Sequence, residues 1–252
     1  MGFFVALQFL TTIPSPLRKE TAAGDLAGAV AYFPLVGMLL GLGLAGLDAA
    51  LGLAFPPTVQ SALLVVALVI LTGGMHLDGL MDTCDGVFHH SAPERRLEIM
   101  RDSRVGAFGV VGAVSVLLVK YAALLALPAA VRPGGLILMA ATSRLAMAYC
   151  LVAFPYARPG PGLGRLFQGG TGKKALALGT AFVAAVGFWL FREWGPIILG
   201  AAGVLAWGLA RYIGGKIGGL TGDTYGAIDE VTEVVVLLGL SVMVRFGVAP
   251  GL

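Results

Sequence analysis

Residues 61–90, "SALLVVALVILTGGMHLDGLMDTCDGVFHH", decide how the whole chain is read. The run from 61 to 72 carries no charge, yet Asp78, Asp82 and Asp85 then fall within eight residues of one another. A run of this kind belongs to a lipid-facing helix, since about 20 mostly apolar residues span a bilayer. If "HLDGLMDTCDG" continues that helix, the three aspartates lie at i, i+4 and i+7 and share one face. Like charges stacked this way repel, and no Lys or Arg stands among them, so a cation is expected to neutralise them. Hard carboxylate oxygens select Mg²⁺, Mn²⁺ or Ca²⁺, and Mg²⁺ completes its shell with water and phosphate. Gly79 and Gly86 leave room for a bulky ligand or a second helix. The plain alternative is a solvated acidic helix end.

Composition places this run in context. With 58% hydrophobic and 12% charged residues, the chain carries about half the charge of a soluble domain. The expected fold is all-α, a polytopic integral membrane bundle forming one domain over residues 1–252. The 38 glycines fit that class, where small residues let helices approach. A net charge of +3 on scattered bases excludes a nucleic-acid partner, which needs a basic stripe. Cys84 and Cys150 read as small apolar side chains rather than a disulfide or zinc site. The stretch "MGFFVALQFLTTIPSP" (1–16) has no basic region before its apolar part and no cleavage site, so it is expected to stay on the protein. It is too short to span, and is expected to form an interfacial or re-entrant helix.

Seven stretches qualify as spans: 29–53, 58–77, 106–129, 134–154, 174–191, 195–213 and 231–249. Between them, Lys and Arg fall twelve to three in favour of the segments on the N-terminal side of the membrane. Basic loops stay in the cytoplasm, so the N-terminus and the loops after spans two, four and six are expected there. Asp78, Asp82, Asp85, Glu94, Glu98, Asp102, Asp223, Asp229, Glu230 and Glu233 fall on that same side, whereas Asp48 and Glu193 do not. A surface rich in both acids and bases suits a metal together with a phosphate.

Two further groups carry chemistry. In "RRLEIMRDSRVGAFGVVG" (95–112), Arg101 and Arg104 stand just before a helix start, a ready anion site. In "GGKIGGLTGDTYGAIDEVTEVVV" (214–236), Asp223, Asp229, Glu230 and Glu233 precede an apolar run. Glu233 is expected near membrane depth, where an unpaired carboxylate is expensive; alternatively Thr221 or Thr232 caps the helix with an acid in its first turn. Arg144 and Lys120 lie inside apolar spans and need partners. Arg144 suits either an acid or a phosphate, while Lys120 has no evident mate in the sequence. The loop "YARPGPGLGRLFQGGTGKK" (156–174) lacks the nucleotide-cradle pattern and reads as a basic lid. His76 is a candidate base or ligand two residues from Asp78, and His89-His90 reads as solvated loop.

Together with "FLTTIP" (9–14), the segments "GGMHLDGLMDTCDG" (73–86), "RDSRVGAFGV" (101–110) and "GDTYGAIDEVTEVVVLL" (222–238) resemble, in order, the cobalamin synthase family, also called adenosylcobinamide-GDP ribazoletransferase. The resemblance implies an Mg²⁺-dependent integral membrane enzyme of a bacterial or archaeal cytoplasmic membrane. Its reaction would move adenosylcobinamide phosphate from adenosylcobinamide-GDP to the 5′ oxygen of α-ribazole, or of its 5′-phosphate, with release of GMP. On that reading Asp78, Asp82, Asp85, Asp223, Glu230 and Glu233 are metal ligands. Arg101, Arg104 and Arg144 hold phosphate, and Asp82, Asp85, His76 and Glu230 are the catalytic candidates. Membrane lipid surrounds the protein, and a homo-oligomer is compatible with all of this.

Two rivals are weighed against it. A CDP-alcohol phosphotransferase also stacks aspartates at a helix end, but "GVFHHSAPERR" (86–96) follows Asp85 where that pattern needs Ala-Arg and further aspartates. A cation-coupled transporter would line its path with Asp78, Arg144 and Glu233 and show repeated halves, and no repeat of whole helices is evident.

Overall fold

The protein is described here from a computed structural model, which describes residues 1–14, 23–159, 163–167 and 172–247. Arg18 and Lys19, counted toward the orientation, and part of the expected lid lie outside these residues. The described chain is helical, with twelve α-helices in order: α1 (Gly2–Leu10), α2 (Ala23–Ala29), α3 (Phe33–Leu51), α4 (Pro57–Leu71), α5 (Met75–Phe88), α6 (Pro93–Ile99), α7 (Ala107–Ala126), α8 (Arg132–Ala153), α9 (Leu163–Leu166), α10 (Lys173–Phe191), α11 (Trp194–Ile217) and α12 (Gly222–Arg245). One isolated parallel bridge, Tyr156 with Leu220, is the sole strand-like pairing among the described residues.

Five segments are long and apolar enough to cross a membrane unaided: Leu26–Leu51, α7, α8, α10 and α11. Their outward faces carry Val111 and Leu118 on α7, Leu178 and Trp189 on α10, and Val204 on α11, all exposed. Such a surface suits lipid rather than water. The second and seventh expected spans differ from the sequence reading, each for a physical reason.

The second span, expected to run through residue 77, stops at Leu71. Gly73 and Gly74 follow with φ of +64° and +70°, a left-handed backbone that a side chain opposes. Two such residues in succession turn the chain, and α5 departs from α4 at 88°. At 15 residues, α4 is about 22 Å long, short of a bilayer core. The aspartates therefore ride on a separate helix that runs across the end of α4. The carbonyls freed at the break are met by Thr12, whose N–H donates to Leu71 O (2.8 Å) and whose hydroxyl donates to Ile70 O (3.3 Å). The "FLTTIP" segment is thereby pinned beside the start of α5.

The last helix, α12, is 24 residues long but has too many acids to pass as a free-standing span. It begins nine residues earlier than expected, at Gly222, because Thr221 caps it. The Thr221 hydroxyl accepts from Thr224 N–H, and Thr221 N–H donates to the Thr224 hydroxyl at 2.8 Å. This is the capping alternative raised by the sequence. Its buried acids are tolerable because α12 lies inside the bundle against α5, α7, α8 and α11.

The centre is α8, buried along most of its length, with α3 packed closely against it. Small residues make these approaches possible. A Cβ on Gly79 of α5 would come within 2.6 Å of the Asp223 carbonyl of α12, so only glycine lets these two helices touch there. This is the second-helix role that the sequence allowed for Gly79.

Candidate active site

The α5–α12 contact brings together residues far apart in sequence. Asp78 and Asp82 on α5 and Asp223 in the first turn of α12 act on one another electrostatically. Asp78 is exposed, whereas Asp82 is partly covered. Burial, and then the charges of Asp223 and Asp78, push the Asp82 carboxyl up to about 7. Burial also raises Asp223, against the pull of Arg158, whose guanidinium donates to Asp223 Oδ2 at 2.6 Å.

Two clefts meet here. The larger, about 410 Å³, is lined by charged Asp78, Asp223, Arg101 and Arg158, by His76, and by an apolar set that includes Phe9. The smaller, about 250 Å³, is lined by Asp78, Asp82, Asp85, Arg101, Asp102 and Arg104. Asp78 and Arg101 belong to both walls, so they mark the junction. Arg101 is exposed. Arg104 is gripped by Asp102 through two hydrogen bonds, NH2 to Oδ2 at 2.6 Å and Nε to Oδ1 at 3.0 Å. That grip holds Asp102 down to about 2.

Arg158 was not singled out in the sequence beyond its charge. It reaches the site because the chain after α8 is stitched to the chain before α12. Ala157 N–H donates to Leu220 O and Leu220 N–H to Pro155 O, each at 2.8 Å. That pairing joins segments 63 residues apart, for which no local pattern exists. Phe167, from the expected lid, also lines the larger cleft.

Four expected site residues are employed otherwise. Asp85 accepts from the N–H of Gly106 (2.8 Å) and of Gly109 (2.9 Å), capping α7 with both oxygens. Such a cap satisfies orphan donors and favours a negative charge. Glu230 and Glu233 lie in a buried cluster rather than on either cleft wall. Lys120 Nζ donates to Glu230 Oε2 at 2.6 Å and also to Glu233. Arg144, expected to hold phosphate or an acid, takes the acid: it pairs with Glu233 and lies 3.4 Å from Asp229. Lys120 thus finds the mates that the sequence did not reveal. Arg96 likewise leaves the basic-loop role, donating to Ser91 O at 2.9 Å and to the carbonyls that end α5.

His76 joins cluster and cleft. Its Nδ1 lies 2.9 Å from Asp229 Oδ2, while Nε2 has no protein partner and the residue lines the larger cleft. An acceptor carboxylate on Nδ1 fixes the tautomer with a proton there, leaving Nε2 as acceptor.

Does the acidic group suit a divalent cation? Among the described residues no three His, Cys, Asp or Glu side chains are gathered tightly enough to serve as a complete ligand set. Mg²⁺ does not ask for one, being held by one or two carboxylates with water and substrate phosphate completing the octahedron. Asp82, raised by burial and then by its neighbours' charges, is the carboxylate a cation would relieve. The donor set fits on those terms.

Fold and site together define a helical integral membrane protein with a cleft of carboxylates and arginines at one end of its bundle. The chain belongs to the cobalamin-5-phosphate synthase family, whose sequence pattern matches residues 2–241. It is similar to proteins named adenosylcobinamide-GDP ribazoletransferase. That of Geotalea daltonii is 42% identical, over 94% of this chain and 96% of its own length. That of Desulforamulus reducens is 40% identical, over 96% and 97%, and that of Pseudomonas paraeruginosa 40% identical, over 95% and 97%. No solved structure matches it.

Proposed function

We propose that the chain transfers adenosylcobinamide phosphate from adenosylcobinamide-GDP to a free ribose hydroxyl of α-ribazole, or of α-ribazole 5′-phosphate, and releases GMP. The observation that carries this is the junction of the two clefts, where Asp78, Asp82 and Asp223 meet Arg101 and Arg158. The names of the relatives point to the substrates. Family membership and the gathering of the free acids at one end of the bundle support this reading over a lipid phosphotransferase or a transporter.

In the reaction a ribose hydroxyl of the acceptor, one that is free in both α-ribazole and its 5′-phosphate, attacks the phosphorus bonded to the cobinamide and gives up its proton to the departing phosphate or to solvent. The new P–O bond forms as the bond to the bridging oxygen breaks, and GMP leaves with that oxygen. Such transfers depend on positioning and charge more than on covalent help from the protein. Asp82 and Asp223 would hold Mg²⁺, with water and substrate phosphate completing its shell, and the ion would supply positive charge at the pyrophosphate. Arg101 binds the non-bridging oxygens, and Arg104 can join it by releasing Asp102. His76, which lines the cleft beside Asp78, is the candidate to orient the incoming hydroxyl. Asp85 keeps α7, and thus the 101–106 segment, in place. Arg144, Lys120, Asp229, Glu230 and Glu233 form the rigid charged floor under His76.

The twelve-to-three bias of basic residues supports placing this cleft on the cytoplasmic side of the membrane. The test is GMP release by the purified protein in liposomes given adenosylcobinamide-GDP, α-ribazole and Mg²⁺. Release that requires both substrates and stops with chelator is expected; no release under any divalent cation overturns the reading.

A further inference from the structure

The larger cleft has two unlike linings. Of its charged residues Asp78 and Arg101 are shared with the neighbouring cleft and Arg158 and Asp223 are its own, while Phe9, Met75, Tyr156, Met147 and Leu151 form an apolar wall. Phe9 comes from α1 and is only partly buried, so it can meet a ligand. Its ring is backed by Phe167 at 4.4 Å and Phe33 at 6.0 Å between centroids. The Thr12 bonds to the end of α4 hold this aromatic corner beside α5. An N-terminal helix that would otherwise serve only as a membrane-surface anchor therefore contributes a wall of the site.

Resting on the transferase reading above, we propose that Phe9 and the wall around it bind the aromatic base of the acceptor nucleoside, leaving the diphosphate of the donor to the charged junction of the two clefts. Three physical points lead there. A volume of 410 Å³ falls within the roughly 300–1,000 Å³ of small-molecule sites. It admits a nucleoside but not a corrin ring with its substituents, which stays at the mouth. The five residues of the wall offer one side-chain hydrogen-bonding group, the Tyr156 hydroxyl. Guanine, with donors and acceptors along its edge, would leave most of them unpaired in such a place, which is costly. A benzimidazole has apolar edges and a flat face that stacks on an aromatic ring. With the base on Phe9, the ribose lies toward the junction where His76 and Asp78 stand.

The experiment measures KM for each substrate by GMP release, and the equilibrium binding of α-ribazole alone by its fluorescence, in detergent-solubilised full-length protein. Phe9→Ala is expected to raise KM for α-ribazole and weaken its binding about tenfold. KM for adenosylcobinamide-GDP stays within about twofold, and Phe9→Trp keeps α-ribazole binding near wild type. Met75→Glu guards against misfolding of the Phe9 variant, because Met75 is 37% exposed and its replacement leaves the core alone. It too is expected to raise KM for α-ribazole selectively. An unchanged KM for α-ribazole in Met75→Glu and Phe9→Ala, or a rise confined to the donor, overturns the assignment. If wild type binds α-ribazole in a Phe9-dependent way yet releases no GMP, the transferase reading fails and the subsite stands. If it releases GMP but the Phe9 and Met75 variants bind α-ribazole as wild type does, the reverse holds.

Discussion

Lys120 offers a sharp test of how the bundle tolerates five charges in its interior. Its ammonium lies 2.6 Å from Glu230 Oε2 and also bonds Glu233, with all three side chains buried. Lys120→Met keeps most of the apolar stem and deletes the charge. Glu233 and Asp229 retain Arg144, but Glu230 pairs with no other cation among the described residues. Removing one partner of a buried pair costs about 3–5 kcal/mol, since the other charge is stranded. For a chain of this size that lowers the unfolding midpoint by on the order of 10 °C. The double variant Lys120→Met with Glu230→Gln removes the stranded charge too, and is expected to recover more than half of the loss. Circular dichroism melts in one detergent, wild type beside both variants, give the coupling directly. A single variant that melts with wild type, or a double variant no more stable than the single, would refute the account of this cluster.

Other expectations are simpler to state. Gly79→Ala drives a methyl toward the Asp223 carbonyl, 2.6 Å away; overpacking of this kind costs about 1–3 kcal/mol, and the separation of α5 from α12 should cut turnover more than it lowers the melting point. Arg132→Met removes the only cation that contacts the buried Asp48 carboxylate among the described residues, at 3.2 Å, and leaves it to the Gln60 amide at 2.6 Å, so thermal stability should fall while both KM values hold. Arg104→Gln leaves the melting temperature as it is, because the Arg104–Asp102 pair is exposed, and raises KM for adenosylcobinamide-GDP in the GMP-release assay.

Much of this architecture was legible because its signals are local. Uncharged runs, "REWGP" between α10 and α11, and acids stacked at i, i+4 and i+7 are each contained within a few turns of chain. The break at Gly73–Gly74 was also local, yet the apolar run concealed it: hydropathy reports lipid exposure and is blind to the sign of φ. Partner choice was hidden for a different reason. Lys120 and Glu230, Arg144 and Glu233, and Arg158 and Asp223 are brought together by helix packing across long stretches of chain. The need of Arg144 and Lys120 for partners followed from their apolar surroundings; which acids would answer it did not. Glu230 and Glu233 looked available to a metal because the bases that neutralise them lie on other helices. Asp85 was correctly placed on the face of its neighbours, but its role as the cap of α7 depends on the turn of the 100–106 segment.

The central claim is that carboxylates from α5 and α12 share one cation beside the scissile diphosphate. It is tested most directly by titrating Mg²⁺ against GMP release in liposomes containing wild type, Asp82→Asn and Asp223→Asn. Loss of Asp82 is expected to lower turnover at least about a hundredfold. Asp223→Asn should raise the half-saturating Mg²⁺ concentration about tenfold or more. An Asp223 variant with the Mg²⁺ dependence and turnover of wild type would contradict the claim, since the two helices could not then be serving one ion.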